Sequence, residues 1–399
     1  MNSEKRAFLP YGRQFLDESD REAVIAALES DYLTTGPEVE RFEADLCRHT
    51  GAEHAVACSN GTAALHLAVL ALGIGKGDKV IVPSITFLAT ANAVHLCGGE
   101  VIFADVDPDT GIMTPETLEE AAKRAGGGFS AVIPVHLGGQ CADMAAVAAI
   151  ARSCGAAIVE DACHALGSVT SDGAVGACVH SDAVALSFHP VKTITTAEGG
   201  AVLTRQSSLA KKLRALRNHG MTRDPTEFLD HDLALAPDGS VNDWYYEQQQ
   251  LGLNYRLPDL NCALGRSQLA KLDRLVERRR ALVAHYDALL RRLSDKVRPV
   301  TRLSGQEPGW HLQVVLIDFE SVGKDRAQVM RELRARGIGT QVHYIPVHRQ
   351  PWQRQKCGPA NLPGADTYYK RCLSLPLHAG MSEGDVDFVV SELADILEG

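Results

Sequence analysis

The stretch Ala183-Val184-Ala185-Leu186-Ser187-Phe188-His189-Pro190-Val191-Lys192-Thr193-Ile194-Thr195-Thr196-Ala197-Glu198-Gly199-Gly200-Ala201-Val202-Leu203-Thr204 decides the fold class. Its two ends, Ala183–Ser187 and Ala201–Thr204, are continuous apolar runs, as in strands covered by helices on both faces. Too little chain separates them for a helical crossover, so a turn is expected to join them as an antiparallel pair. Working outward, Val80–Pro83, Val101–Val106, Ala131–Val135 and Ala156–Glu160 read as further strands. Pro37–Arg48, Ala63–Leu72, Thr114–Arg124 and Met144–Ser153 read as helices between them. This alternation predicts an α/β fold with a mixed, mostly parallel sheet.

Past this region the rhythm changes. Thr222 to Gln250 is polar, carries Pro225, Pro237 and the Asp238-Gly239 pair, and reads as an irregular surface excursion. One long helix is expected over Asp259–Arg292. It is followed by a strand at His311–Phe319 and a helix at Asp325–Arg336 stopped by Gly337. A strand at Ile338–Tyr344 and a helix at Glu383–Leu397 complete the pattern. A large domain over 1–258 and a smaller C-terminal α/β domain over 259–399 are therefore expected.

The 399 residues are 45% hydrophobic and 23% charged, the balance of an ordinary globular protein. Forty Lys plus Arg against fifty Asp plus Glu leave a net charge of −10. A nucleic-acid partner is not expected, since that needs a basic footprint. No apolar run suits a membrane span or a secretory signal. The ten cysteines contain no C-x-x-C pair, so reduced thiols in a cytoplasmic protein are expected.

Three segments could carry chemistry. Ser59-Asn60-Gly61-Thr62 precedes a helix; its free N–H groups and the Thr62 hydroxyl would make a phosphate seat. Read alone, the segment is equally a simple capped helix. Val159-Glu160-Asp161-Ala162-Cys163-His164 ends a strand in a carboxylate, where open α/β sheets place ligand groups. A capping Asp161 and a core His164 are the plainer reading of that segment alone. Lys192 stands just after an apolar strand among Ser, Thr and Gly, where partial desolvation frees its amine as a nucleophile. A phosphate anchor, a carboxylate and an amine are together what pyridoxal 5′-phosphate (PLP) requires. Phe87, after a strand, could stack on its ring or simply fill the core. Gly73–Gly77 precedes a strand instead of following one, which is the wrong order for a nucleotide loop. His343 and His348 have no neighbouring Cys or carboxylate cluster, and no metal is expected there.

Ser59–Thr62, Glu160–His164, Ser187–Gly200, Asn218-His219-Gly220 and Gly252-Leu253-Asn254-Tyr255-Arg256-Leu257 together resemble the landmarks of the DegT/DnrJ/EryC1/StrS sugar-nucleotide aminotransferases. The resemblance runs almost end to end and implies the PLP-dependent transferase fold type I, aspartate aminotransferase-like. It implies Lys192 as the lysine that joins the cofactor and Asp161 as the partner of the ring nitrogen. Gly61, Thr62 and Ser187 would hold the phosphate, and His164 would lie near the ring hydroxyl. Asn254 would reach the phosphate from the neighbouring subunit of a homodimer with shared sites. Tyr11, Asp31, Tyr32, Leu33, Thr34, Gln341, Val342, His343 and Tyr344 would line the sugar-nucleotide site. The implied reaction moves an amino group from L-glutamate, through pyridoxamine 5′-phosphate, to C4 of a UDP-linked 4-keto-6-deoxy-N-acetylhexosamine. Likeness at Ser187–Gly200 and Gln341–Tyr344 points to the L-altro series of pseudaminic acid synthesis. The D-gluco 4-keto sugar is the runner-up. A sugar dehydratase is disfavoured because such enzymes typically carry His in place of the lysine. A non-catalytic PLP-binding regulator is disfavoured by the intact Lys192 and Asp161.

Overall fold

The computed structural model describes residues 7–293 and 295–398. A seven-stranded sheet is built from β1 (His54–Cys58), β2 (Lys79–Pro83), β3 (Glu100–Ala104), β4 (Ala131–Val132), β5 (Ala157–Asp161), β6 (Ala183–Ser187) and β7 (Gly200–Thr204), in the order β1-β7-β6-β5-β4-β2-β3. The neighbours from β3 through β6 run parallel, whereas β7 is antiparallel to both β6 and β1. The pair read from 183–204 is therefore present, in a mixed and mostly parallel sheet. Val184, Leu186, Val202 and Leu203 are fully buried, as strands covered on both faces require.

The helix α1 (Gly61–Ala71) packs over β6 and β7 and is buried along nearly its whole length. Its start is fixed by Asn60, whose Oδ1 accepts the Ala63 N–H at 2.8 Å. Strand β1 was not anticipated; it is short and closes the edge through β7. Ala131–Val135 pairs as a strand only over its first two residues, because Pro134 has no N–H to give a ladder.

The C-terminal part has a three-stranded antiparallel sheet of β8 (Val297–Pro299), β9 (Gln313–Ile317) and β10 (Cys372–Leu375), with β9 central. Two expectations fail here. Asp259–Arg292 is two helices, Asp259–Leu269 and Leu272–Leu290, separated at Ala270–Lys271. The first packs against helices Glu18–Leu28 and Pro37–Thr50, and its Cys262 and Leu269 share a core with Phe42 and Phe188; that pull turns the chain. Ile338–Tyr344 is not a strand. It makes single bridges, Ile338 to Leu9 and Gln341 to Ser374, while the edge of the sheet goes to Cys372–Leu375. Gly337 does close its helix, with φ at +85°.

The excursion after Asn218 is held by a two-residue strand pair, Met221–Thr222 with Glu247–Gln248. The Glu247 carboxylate accepts the N–H groups of Leu229 and Asp230 and the Tyr245 hydroxyl. Among the described residues no helix is long and apolar enough to cross a membrane.

Candidate active site

The sheet register gathers the candidate residues. Asp161 closes β5 opposite Ala185, Ser187 closes β6 opposite Gly200, and Gly200 also faces Cys58 at the end of β1. Because β7 runs backwards, its first residue lies beside the last residues of its neighbours. A carboxylate, a hydroxyl and the turn into α1 thus meet at the carboxyl ends of the strands, the end where α/β sheets bind ligands. Close approach is required there. A Cβ on Gly61 would lie 2.8 Å from the Ser187 Cβ, and one on Gly200 would lie 2.4 Å from the Asn60 carbonyl oxygen.

A cavity of about 600 Å³ opens at this end, lined by Gly61, Thr62, Phe87, Asp161, His164, Ser187 and Lys192. Tyr11, Gln341, Val342, His343 and Tyr344 complete its wall from the N-terminal segment and the C-terminal part of the chain. Asp161 is 5% exposed and is held through both oxygens. Its Oδ2 accepts the Thr90 hydroxyl at 2.7 Å, and its Oδ1 accepts the Cys163 N–H at 3.2 Å. The single Thr90 hydroxyl hydrogen goes to Asp161, the nearer acceptor, since the Phe87 carbonyl lies at 3.2 Å, and the Thr86 hydroxyl, 2.7 Å from Thr90, donates to it in turn.

Lys192 follows β6 in a loop pinned by its own N–H to the His189 carbonyl and by Arg279 Nη2 to the Lys192 carbonyl. Burial lowers its pKa, offset in part by Cys163 and Asp161. Among the described residues its amine has no ion-pair partner. Burial also pushes His164 and His311 well below the usual histidine value and His343 down to about 3, with Lys192 adding to each, so all three rings are neutral at pH 7.

The residues present fit PLP. The hydroxyls of Thr62 and Ser187 have no protein partner among the described residues. They sit at a helix start where free N–H groups and the dipole favour an anion. Gly61 leaves the cradle that a Cβ would fill. A buried carboxylate and an unpaired amine lie in the same cavity.

Not every expected residue is there. Asp31, Tyr32, Leu33 and Thr34 are exposed and lie outside the cavity, as does Asn254, which bridges to Asn218. Within one chain they contribute nothing to it. Conversely, Thr86, Cys163, Glu198 and His311 line the cavity, with Thr90 behind Asp161. The stretch Thr86–Thr90 follows β2 at the same sheet end, which was the available signal for Thr90. His311 comes from the C-terminal part of the chain and had none. A second cavity of about 970 Å³ lies beside helix Ser207–Arg217 and the excursion, with Lys211, Lys212, Arg217, Arg223 and Arg256 on its wall. It is larger, but it shares no residue with the Lys192 cluster.

The sequence profile of the DegT/DnrJ/EryC1/StrS aminotransferase family matches residues 14–394. The spore coat polysaccharide biosynthesis protein SpsC of Bacillus subtilis (strain 168) is 37% identical over 402 residues, covering 100% of both chains. Helicobacter pylori PseC, an aminotransferase involved in the biosynthesis of pseudoaminic acid, superposes with a TM-score of 0.88 at 29% identity, over 98% of this chain and 99% of that one. Spr1654 of Streptococcus pneumoniae in its PMP form gives a TM-score of 0.86 at 26% identity, again over 98% and 99%.

Proposed function

The chain belongs to the DegT/DnrJ/EryC1/StrS aminotransferase family and is a PLP-dependent sugar aminotransferase; from that premise we propose that it carries an amino group from L-glutamate to C4 of a UDP-linked 4-keto-6-deoxy-N-acetylhexosamine. The likeness to PseC favours the L-altro series of pseudaminic acid synthesis. The observation that carries the catalytic part is the meeting of Lys192, Asp161 and the start of α1 in one cavity.

When bound, PLP supplies an aldehyde carbon that can take up an amino group and a ring that draws electrons from the carbon being deprotonated. The chain supplies the rest. Lys192 Nζ, its ammonium form disfavoured by burial, holds the cofactor. Once displaced, the same amine takes a proton from the donor carbon and later delivers one to the sugar carbon, so no second base is needed. Asp161, clamped by Thr90 and the Cys163 N–H, would hold a proton on the ring nitrogen. The Gly61 and Thr62 N–H groups with the Thr62 and Ser187 hydroxyls bind the phosphate. Phe87, 55% exposed and on the cavity wall, would cover the cofactor ring, and His164 would lie near the ring hydroxyl. Tyr11 and Gln341–Tyr344 orient the sugar.

The proposal includes a homodimer in which Asn254 reaches the partner's phosphate and Asp31–Thr34 the partner's nucleotide side. Both lie outside the cavity of their own chain, so a neighbour is the way they would take part. It also keeps the division into lobes at 258/259, although helix Asp259–Leu269 packs on the large-sheet side. The 37% identity to SpsC favours a second reading, a different 4-keto sugar destined for a surface polysaccharide, with the D-gluco series as its leading member. Incubation with glutamate and a panel of UDP-4-keto sugars tests both. Preferred amination of the L-altro precursor is expected; preferred amination of the D-gluco ketone overturns the first reading in favour of the second.

A further inference from the structure

His164 and Tyr344 lie side by side in the cavity, and their hydrogen bonds have a direction that can be worked out. The Gly138 N–H, which can only donate, lies 3.3 Å from His164 Nδ1. That amide is aimed by its own turn, since the Leu137 carbonyl in the same peptide plane accepts the Gln140 N–H at 3.1 Å. Nδ1 therefore carries a lone pair. The ring is buried and packed against the tilted ring of His311, centroids 4.4 Å apart, with Lys192 and His343 nearby, and it stays neutral. A neutral imidazole with a bare Nδ1 must carry its hydrogen on Nε2. Nε2 lies 3.0 Å from the Tyr344 hydroxyl, which is thus the acceptor of that bond. The other tautomer would set two hydrogens against each other at Nδ1. Among the described residues no acceptor takes the hydroxyl hydrogen of Tyr344.

We infer that Tyr344 donates its hydroxyl hydrogen to an acceptor oxygen of the bound ligand, and that His164, through its Nε2–H tautomer, is the positioning residue that turns the hydroxyl towards the cavity. The acceptor is an oxygen on the cofactor ring or on the sugar, both of which can face Tyr344 in this cavity. The inference rests on the reading of the cavity as the cofactor and sugar site. It adds a fixed donor where a freely turning phenol could also have accepted. Gln at position 164 preserves the arrangement, because its amide offers one acceptor to Gly138 and one donor to Tyr344. Leu offers neither.

Neutron diffraction from deuterated crystals of the PLP-loaded protein reads the hydrogens directly, without any need to know the sugar. Deuterium is expected on His164 Nε2, with the Tyr344 deuteron directed away from His164. Pointing at the cofactor ring oxygen identifies that acceptor, and pointing into the open cavity identifies the sugar. Deuterium on Nδ1, or a Tyr344 deuteron directed at His164, overturns the inference. Solution variants give a second readout. Tyr344→Phe and His164→Leu should each weaken the ligand-bound step by about 10- to 100-fold, the effect of one lost hydrogen bond to a charged or developing charge. His164→Gln should stay within a few-fold of the parent. A cofactor acceptor shifts the PLP absorbance of both damaging variants; a sugar acceptor leaves the spectrum and the glutamate step unchanged and slows only the sugar step. If both damaging variants match the parent in spectrum and in both steps, the inference falls. Failure of every UDP-sugar in the panel with the parent protein instead counts against the proposed substrate alone.

Discussion

At Asp161 the carboxylate is held before any ligand arrives. Thr90 and the Cys163 N–H occupy one lone pair on each oxygen, and Thr86 orders Thr90 from behind. A hydrogen bond to a charged group contributes about 1.5–3 kcal/mol. Thr90→Val keeps the shape and removes the donor, so PLP affinity should fall roughly tenfold or more, measured by absorbance titration of the apoprotein. An unchanged affinity would show that Asp161 needs no such support. Lys192 is prepared differently, by desolvation without a salt bridge, which keeps more of the amine in its reactive form.

At the scale of elements, the site depends on how closely α1 approaches β6. The Gly61 position leaves 2.8 Å to Ser187 Cβ and 3.2 Å to Cys163 Sγ for any added methyl. Gly61→Ala should push the helix start off the strand, at a cost of about 1–3 kcal/mol. A melting temperature lower by several degrees and weaker PLP binding are expected together. A variant that melts lower yet binds PLP as tightly would separate the helix start from the phosphate seat. This sheet end was legible in the sequence because each part is local: an apolar run, a carboxylate or hydroxyl at its end, and glycines at the crossing points. Thr90 lies in a stretch that the sheet end marks, but its bond to Asp161 is made across elements and was not legible, and His311 carried no local signal at all. Ile338–Tyr344 misread as a strand for the same reason: its backbone makes only the single bridges Ile338–Leu9 and Gln341–Ser374, and no periodicity reports that.

For the whole molecule, two behaviours follow from burial and from what one chain lacks. His378 is 6% exposed and its pKa is pushed down to about 4 by burial, with Arg279 and Arg13 adding and Asp385 opposing. An unfolded histidine titrates near 6.5, so as pH falls below about 6.5 the unfolded chain takes up a proton first and stability declines until about pH 4. His343, at about 3, acts in the same sense. The melting temperature should hold from pH 8 to 7 and fall between 6.5 and 4, with a shallower fall in His378→Gln; an equal slope in the variant would contradict this. Asn254 and Asp31–Thr34 were read as site residues through a resemblance that includes a second subunit. A single chain leaves them outside the cavity, and only a two-chain experiment tests them. Mixing Lys192→Ala with Asn254→Ala should restore activity in heterodimers, each of which would contain one intact site. Verified heterodimers without recovery would mean that each subunit is self-contained.

The catalytic reading rests on Lys192 holding the cofactor. Reduction of the PLP-loaded protein with sodium borohydride fixes the pyridoxyl group to whichever amine bears it, and peptide mapping then locates it. The group is expected on Lys192. Its recovery on another lysine, or its absence from the Lys192 peptide of a preparation whose absorbance shows bound PLP, would contradict the assignment.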